Sequence, residues 1–226
     1  MKSPMAEQFK TRVLRTSELG RDDLETVHHL FDLAYLQANH PYLEQSFHKL
    51  RFLALAYDHD RPVGFALGDA VGTVLPRMSD SQCVVLAGIC CIDPDFRRLG
   101  LFSFLESLAI RESGILQPGM RTLVCGRMAH PASFRMISKN PTVVPKAGVS
   151  PSPWQKEVGL HVAGLYGVPI DPETFVVLGK GKPIGYPKIK LEVLEEEWLP
   201  FAPVNRDRGD SLLALAWTPD APEGWD

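Results

Sequence analysis

The sequence predicts an α/β fold in which helices pack on a mixed β-sheet. Three stretches carry that prediction. Residues Cys83–Ile92 form a continuous apolar run with β-branched members, the pattern of a central strand covered on both faces. Shortly after it, Leu101, Phe104, Leu105, Leu108 and Ala109 recur at helical spacing. Upstream, strand-like Arg51–Tyr57 and Val63–Ala70 flank a turn at Asp58–Pro62, so 51–70 reads as a hairpin, an element at odds with a doubly wound parallel sheet.

The remaining elements follow in order. Residues 9–16 roughly alternate and read as a first strand. Asp22 and Glu25 have the spacing of a capping box and open a helix. Its apolar stripe is Leu24, Val27, Leu30, Phe31, Ala34, Tyr35 and Ala38, and Pro41 ends the pattern. Residues 76–81 are loop-like, and Gly88, inside the apolar run, marks a bulge or a close approach of another backbone. Gly114 and Pro118–Gly119 stop the helix that begins near Leu101. Arg121–Met128 reads as the next strand, and His130–Lys139 as a short helix with Pro131 in its first turn. Four prolines make 140–157 a long loop, and strand candidates follow at 160–167, 174–179, 186–194 and 211–217, with Gly179–Gly185 as a connecting turn. A single domain over 1–217 is expected, with 218–226 as a frayed tail.

The 226 residues suffice for one sizeable core, and 45% hydrophobic content excludes a disordered chain. The net charge is −3 and no lysine/arginine-rich run stands out, so composition gives no support to a nucleic acid or an anionic membrane as partner. The first residues lack an apolar signal core and no run of about 18 apolar residues occurs, so a cytoplasmic protein is expected. Cys83, Cys90, Cys91 and Cys125 form no C-x-x-C pair and read as buried free thiols, with Cys90 and Cys91 on opposite faces of a strand. The seven histidines are not clustered, so no metal site is expected. Walker A, G-x-G-x-x-G, G-x-S-x-G and H-E-x-x-H motifs are all absent.

Chemistry concentrates between the apolar strand and the helix after it, at Ile92–Ser103. A helix start offers unpaired N–H groups and the positive end of the macrodipole, which together suit phosphate. Arg97 and Arg98 add positive charge, and Gly100 removes a side chain where a ligand would approach the backbone.

This stretch resembles the coenzyme-A turn of the GNAT acyltransferases, V-x-P-x-x-[RQ]-x-x-G-x-[GA]. Ile92, Pro94, Arg97 and Gly100 match it in register, and the order of elements over roughly 10–140 is similar to that family. The resemblance implies a central, mostly antiparallel sheet flanked by helices. It also implies an N-acyltransferase that uses acetyl-CoA as acyl donor and a small-molecule or peptide amine as acceptor. It assigns the backbone amides of Arg98, Leu99, Gly100, Leu101, Phe102 and Ser103 to the pyrophosphate, with Arg97 lining the turn. Backbone groups of Cys90 and Ile92 would pair with the pantetheine arm. His130 and Ser133 would border the thioester.

Two positions depart from the pattern. Phe102 replaces a small residue, and Ile137 stands where many members carry a tyrosine acid. Catalytic residues therefore stay unassigned. His161 and Glu157 are candidate bases, and Glu195–Glu197 a candidate attractor of a cationic substrate. A CoA-binding regulatory module without turnover, and a transferase using a longer acyl thioester, remain alternatives. A homodimer also stays open. The acceptor site falls to the variable loops 38–50 and 140–160.

Overall fold

The computed structural model describes residues 8–188 and 192–225. In chain order its strands and helices are β1 (Lys10–Arg15), α1 (Arg21–Ala34), β2 (Tyr35–Leu36), α2 (His40–Phe47), β3 (Phe52–Asp58), β4 (Arg61–Val74), β5 (Ser81–Ile92), α3 (Leu101–Arg111) and β6 (Thr122–Met128). Then come α4 (Pro131–Phe134), α5 (Pro153–Leu165), β7 (Ile170–Asp171), β8 (Val176–Val177), β9 (Tyr186–Pro187) and β10 (Ser211–Thr218). The fold is mixed α/β, with mostly antiparallel pairing in the sheet and helices flanking it.

Where the sequence suggests one domain, the chain groups into two compact units. The first holds the described residues within Met1–Ala70, Ala87–Gly114 and Ile184–Lys190; the second holds those within Val71–Leu86, Ile115–Pro183 and Leu191–Asp226. Strands β4 and β5 contribute residues to each.

In the first unit the strand order is β1-β3-β4-β5. β1 pairs antiparallel with β3, from Lys10 opposite Tyr57 to Arg15 opposite Phe52. β3 and β4 form the expected hairpin, with Phe52 opposite Gly68 and a register shift at Ala56/Tyr57. Small residues on this sheet, Ala54, Ala56 and Ala66, admit α3, whose Leu101, Leu105 and Ala109 complete a cluster with Phe9, Phe52, Val63 and Ile92. Gly88 is a close approach: a Cβ there would lie 2.8 Å from the Leu67 carbonyl oxygen and would also meet Leu50. Asp69, buried, accepts two hydrogen bonds from the Arg51 guanidinium at 2.8 and 2.7 Å and one from the Ala70 amide, so its charge is neutralised inside the sheet.

The first helix starts two residues earlier than its capping pattern predicts, with Gly20 as its cap. Asp23, at its third position, accepts from the Gly20 amide at 3.2 Å, in the role assigned to Glu25. It also ends earlier, at Ala34, because Tyr35 and Leu36 leave to pair with Pro187 and Tyr186 of β9. Pro41 opens α2 instead of closing α1: Asn39 caps this helix by accepting from the Tyr42 amide at 3.2 Å, and the missing proline N–H costs nothing in the first turn.

In the second unit β6, β10, β8 and β7 lie in that order, with β10 antiparallel to β6 from Leu212 opposite Met128 to Thr218 opposite Thr122. Several expectations are corrected here. The predicted loop 140–157 ends at Ser152, and the predicted strand 160–167 falls on helix α5. Ser152 and Gln155 form a capping box with Pro153 in the first turn, and the helix buries Trp154, Val158, Val162 and Ala163. The candidate 174–179 contracts to the two residues of β8, and 186–194 to the two of β9; within the latter range 189–191 lie outside the described residues. Helix His130–Lys139 contracts to Pro131–Phe134.

The segment after Thr218 is not a frayed tail over its described residues. Trp225 is 1% exposed, stacks edge-on against Trp154 and Trp217, and donates from its indole N–H to the Thr142 carbonyl at 3.0 Å. Its own carbonyl accepts from Gln155 at 2.6 Å. Replacing Trp225 with Ala should lower the free energy of unfolding by about 3 kcal/mol, measured by urea denaturation. An unchanged midpoint would mean that this segment does not pack.

Candidate functional site

The turn between β5 and α3 is held from both ends. The Asp93 amide donates to the Val63 carbonyl at 2.9 Å. The Asp93 carboxylate, buried, accepts from the Asp95 amide at 3.0 Å and from the Arg61 guanidinium at 2.7 Å. That carboxylate caps a single 3-10 turn, Pro94–Phe96, against which the Phe9 ring packs edge-on. Arg97 then folds back and donates from Nε to the Ile92 carbonyl at 3.0 Å. Its guanidinium is partly buried, and burial draws its proton affinity below the ordinary value. Arg97 thus closes the turn from beneath.

Beyond Arg97 the backbone opens. Arg98 has φ +67° and Gly100 has φ +83°, both left-handed, the second a conformation that glycine adopts without penalty. Gly100 is the cap of α3 and supplies no side-chain hydrogen bond. The first backbone bond of the helix runs from the Phe104 amide to the Gly100 carbonyl at 3.2 Å. The Leu99 amide closes the turn over Arg97–Arg98, and the amides of Arg98, Gly100, Leu101, Phe102 and Ser103 have no acceptor among the described residues. Arg98, Leu99, Gly100 and Ser103 are exposed. Arg98 has no ion pair or hydrogen bond with a described residue. The left-handed φ of Arg98 is a local strain of about 1 kcal/mol that this open arrangement retains. Bare amides at a positive helix end, with a guanidinium beside them, are donors that an anion could satisfy.

Phe102, which replaces the small residue of the motif, packs against the apolar cluster beneath α3. Cys90 is half-buried against the same cluster and Ile92 is buried. Under the turn, the Tyr35 phenol lies within electrostatic reach of Cys90, Cys91 and Arg97, and burial raises it far above its ordinary value. Burial likewise raises the thiols of Cys90 and Cys91.

The structure therefore brings Cys90, Ile92 and Arg97–Ser103 together in the first unit. His130 and Ser133 belong to the second. His130 is half-buried at the start of α4, and Ser133 is exposed on that helix. Ile137 is buried and offers no proton. Of the candidate bases, His161 lies on α5, not a strand, with Nε2 3.1 Å from the Thr73 hydroxyl. Glu157 is bound by Arg77 at 2.9 and 2.7 Å, which holds its carboxyl below the ordinary value. Glu197 is bound by Arg135 and by the Leu194 amide, which draw it down to about 2. Glutamates so stabilised as carboxylates are weak bases.

The sequence reading missed Asp93, Arg61 and Tyr35. Asp-Pro is a turn-opening pair, so Asp93 could have been placed as the cap; the reach of Arg61 across the hairpin has no local signal.

No protein-family model matches the chain, and no curated protein sequence does. Solved structures match. A GNAT-family acetyltransferase of Streptococcus pneumoniae aligns at 24% identity over 45% of this chain and 64% of its own, with a TM-score of 0.32. The ribosomal-protein-S18-alanine N-acetyltransferase of Escherichia coli aligns at 12% identity over 95% and 98% of the two chains, with a TM-score of 0.40. An aminoglycoside N-acetyltransferase in complex with CoA aligns at 15% identity over 57% and 83%, again with a TM-score of 0.40.

One half-buried carboxyl on α3 stands apart from the turn. Glu106 is half-buried, within electrostatic reach of Cys90, and burial pushes it up to about 7 from 4.5. A raised carboxyl holds its proton more tightly in the folded state, so stability falls as pH rises from 4.5 to 7 and levels off above. Glu106→Gln, which mimics the protonated form, should be more stable than the parent by about 3 kcal/mol at pH 8 and equal to it near pH 4. Denaturation at the two pH values measures this, and equal stability at both would show that Glu106 is solvated.

Proposed function

We propose that the chain is an acyl-CoA-dependent N-acyltransferase whose donor binds at the turn after β5. One observation carries this reading: the backbone amides of Arg98 and of Gly100–Ser103 have no acceptor among the described residues and sit inside a motif that resembles the coenzyme-A turn of GNAT enzymes. A diphosphate satisfies several adjacent N–H groups at once, and Arg98 supplies a neutralising charge at the rim. The Asp93–Arg61 and Arg97–Ile92 bonds preorganise the amides, so the ordering entropy is met in folding and not in binding.

In the proposed reaction the lone pair of a neutral amine forms a bond to the thioester carbonyl carbon. The carbon–sulfur bond breaks and its electron pair leaves on the CoA sulfur. The proton lost by the nitrogen passes to solvent or to that thiolate. A thiol near pKa ~8.5 is a tolerable leaving group, so a buried Ile137 in place of an acid is compatible with turnover. With the candidate glutamates held as carboxylates, an acceptor that is already largely neutral at working pH suits this chain better than a lysine-like amine, which at pH 7 is about one part in 10³ neutral. Acetyl is the proposed acyl group.

Free CoA and acetyl-CoA should each raise the melting temperature, and a ligand at 100 times its dissociation constant stabilises by about 2.7 kcal/mol. Arg98→Ala should weaken CoA binding by roughly 10-fold and reduce its salt dependence without altering the melting temperature of the free protein. Arg97→Ala should lower that temperature as well, because it unpins the turn. Stabilisation by ATP but not by CoA would overturn the assignment. Binding of CoA without acetyl transfer to any amine would leave a CoA-responsive binding module.

A further inference from the structure

Strand β1 stands at the end of the strand order in the first unit, and its pairing is one-sided among the described residues. The Thr16 amide donates to the Arg51 carbonyl at 2.9 Å, and the same register runs back along β1 from Arg15 opposite Phe52 to Lys10 opposite Tyr57. In an antiparallel ladder, bonded and non-bonded pairs alternate. Leu14, Arg12 and Lys10 therefore direct their backbone groups to β3, and Thr11, Val13 and Arg15 turn theirs outward. No described residue bonds to the N–H or C=O groups of those three.

The side chains along this edge alternate between two faces. Thr11, Val13 and Arg15 share the face on which α3 packs: Val13 lies against the cluster that holds Phe52, Ala54 and Ala56, and the Arg15 guanidinium sits 5.4 Å over the Phe52 ring. Lys10, Arg12 and Leu14 share the other face, where Arg12 meets Asp23 of α1 at 3.1 Å. Val13 and Leu14 are half-buried, whereas Lys10, Arg12 and Arg15 are exposed. Asp23 offsets Arg12, but Lys10 and Arg15 have no carboxylate partner among the described residues. The edge thus offers three outward backbone donors and three acceptors, a partly open apolar middle, and a cation toward each end.

We propose that the outer edge of β1 is a docking site for an acidic, extended peptide segment of a partner protein, which adds to it as an antiparallel strand. Main-chain bonds to Thr11, Val13 and Arg15 supply the pairing, and alternate side chains supply the selectivity. A second copy of β1 is a poor occupant. Pairing about Val13 would set Arg15 opposite Thr11 and line the seam with the cations of both strands, and like charges across a strand pair oppose association. An acidic strand reverses that sign. Matched residue by residue from Arg15 back to Lys10, the complementary strand is Glu-Val-Val-Glu-Thr-Glu, with acids opposite Arg15, Arg12 and Lys10 and valines opposite Leu14 and Val13. This site does not rest on the acyltransferase reading and stands or falls apart from it.

Titration of the whole chain with that hexapeptide, acetylated and amidated at its ends, tests the proposal through amide exchange read by ¹H–¹⁵N spectra. The Thr11, Val13 and Arg15 amides should exchange freely without peptide and become protected with it, while those of Arg12 and Leu14 are protected throughout. Methylating the peptide nitrogen that faces Val13 should abolish the added protection. Thr11→Pro removes an outward N–H and leaves the ladder to β3 intact, so it should keep the melting temperature of the parent and weaken peptide binding by about 10-fold. Lys10→Gln and Arg15→Gln should each weaken it about 3-fold and flatten its salt dependence. Absence of binding at millimolar peptide, equal binding of a peptide with lysine in place of glutamate, or binding that leaves the three outward amides unprotected would each overturn the proposal. Self-association of the chain that Thr11→Pro abolishes would overturn it as well, because a second copy would then be the occupant.

Discussion

Unsatisfied backbone amides are the constraint from which the first unit can be understood. A folded chain seldom leaves N–H groups without acceptors, and those of Arg98 and Gly100–Ser103 persist here because neighbouring residues fix the segment by other means. Asp93 ties the start of the turn to Arg61 across the hairpin, Arg97 ties its middle to the last carbonyl of β5, and Leu101 and Leu105 anchor the helix that follows. The small residues Ala54, Ala56 and Ala66 under α3 belong to the same arrangement, since a bulkier sheet surface would lift the helix and move its bare amides. The geometry of the turn and the core packing are therefore set by one group of side chains.

How much of this was legible in the sequence follows from the range of the signals. The strand–turn–helix around Ile92–Ser103 is written in short-range terms, an apolar run, an Asp-Pro turn and a 3.6-residue stripe, and it appears where those terms place it. The hairpin and the final strand were legible for the same reason. The misreadings came from residues whose meaning depends on position. Pro41 and Pro153 read locally as breakers, yet each stands in the first turn of a helix, where a missing N–H removes nothing. Ser152 and Gln155 carried a capping signature that the proline density of the neighbouring loop obscured. Trp225 could not be read at all: its partners Trp154, Trp217 and Thr142 are 71, 8 and 83 residues away, and only the fold assembles them.

The site was legible as a turn and not as an electrostatic environment. Sequence offered Arg97 and Arg98 as a pair of equivalent cations, whereas the structure separates them: one is half-buried and spent on a carbonyl, the other is exposed and unengaged. The glutamates behaved similarly. Glu157 reads locally as an available base and Glu197 as part of a cation-attracting run, yet Arg77 and Arg135 hold them. These pairings span 80 and 62 residues, beyond the reach of any local pattern. Ion pairing thus removes acid–base candidates as effectively as it stabilises loops.

The sulfur chemistry of the chain has a consequence of its own. Cys83, Cys90, Cys91 and Cys125 are all unbridged, and burial raises every one of their thiols above the ordinary value. A protonated thiol is a poor nucleophile. An activated acyl group held next to β5 would therefore not be intercepted by the strand that holds it, and no covalent acyl-cysteine would build up as a dead end. Silence of the protein's own sulfur would reserve the thioester for an incoming nitrogen, in a single direct displacement.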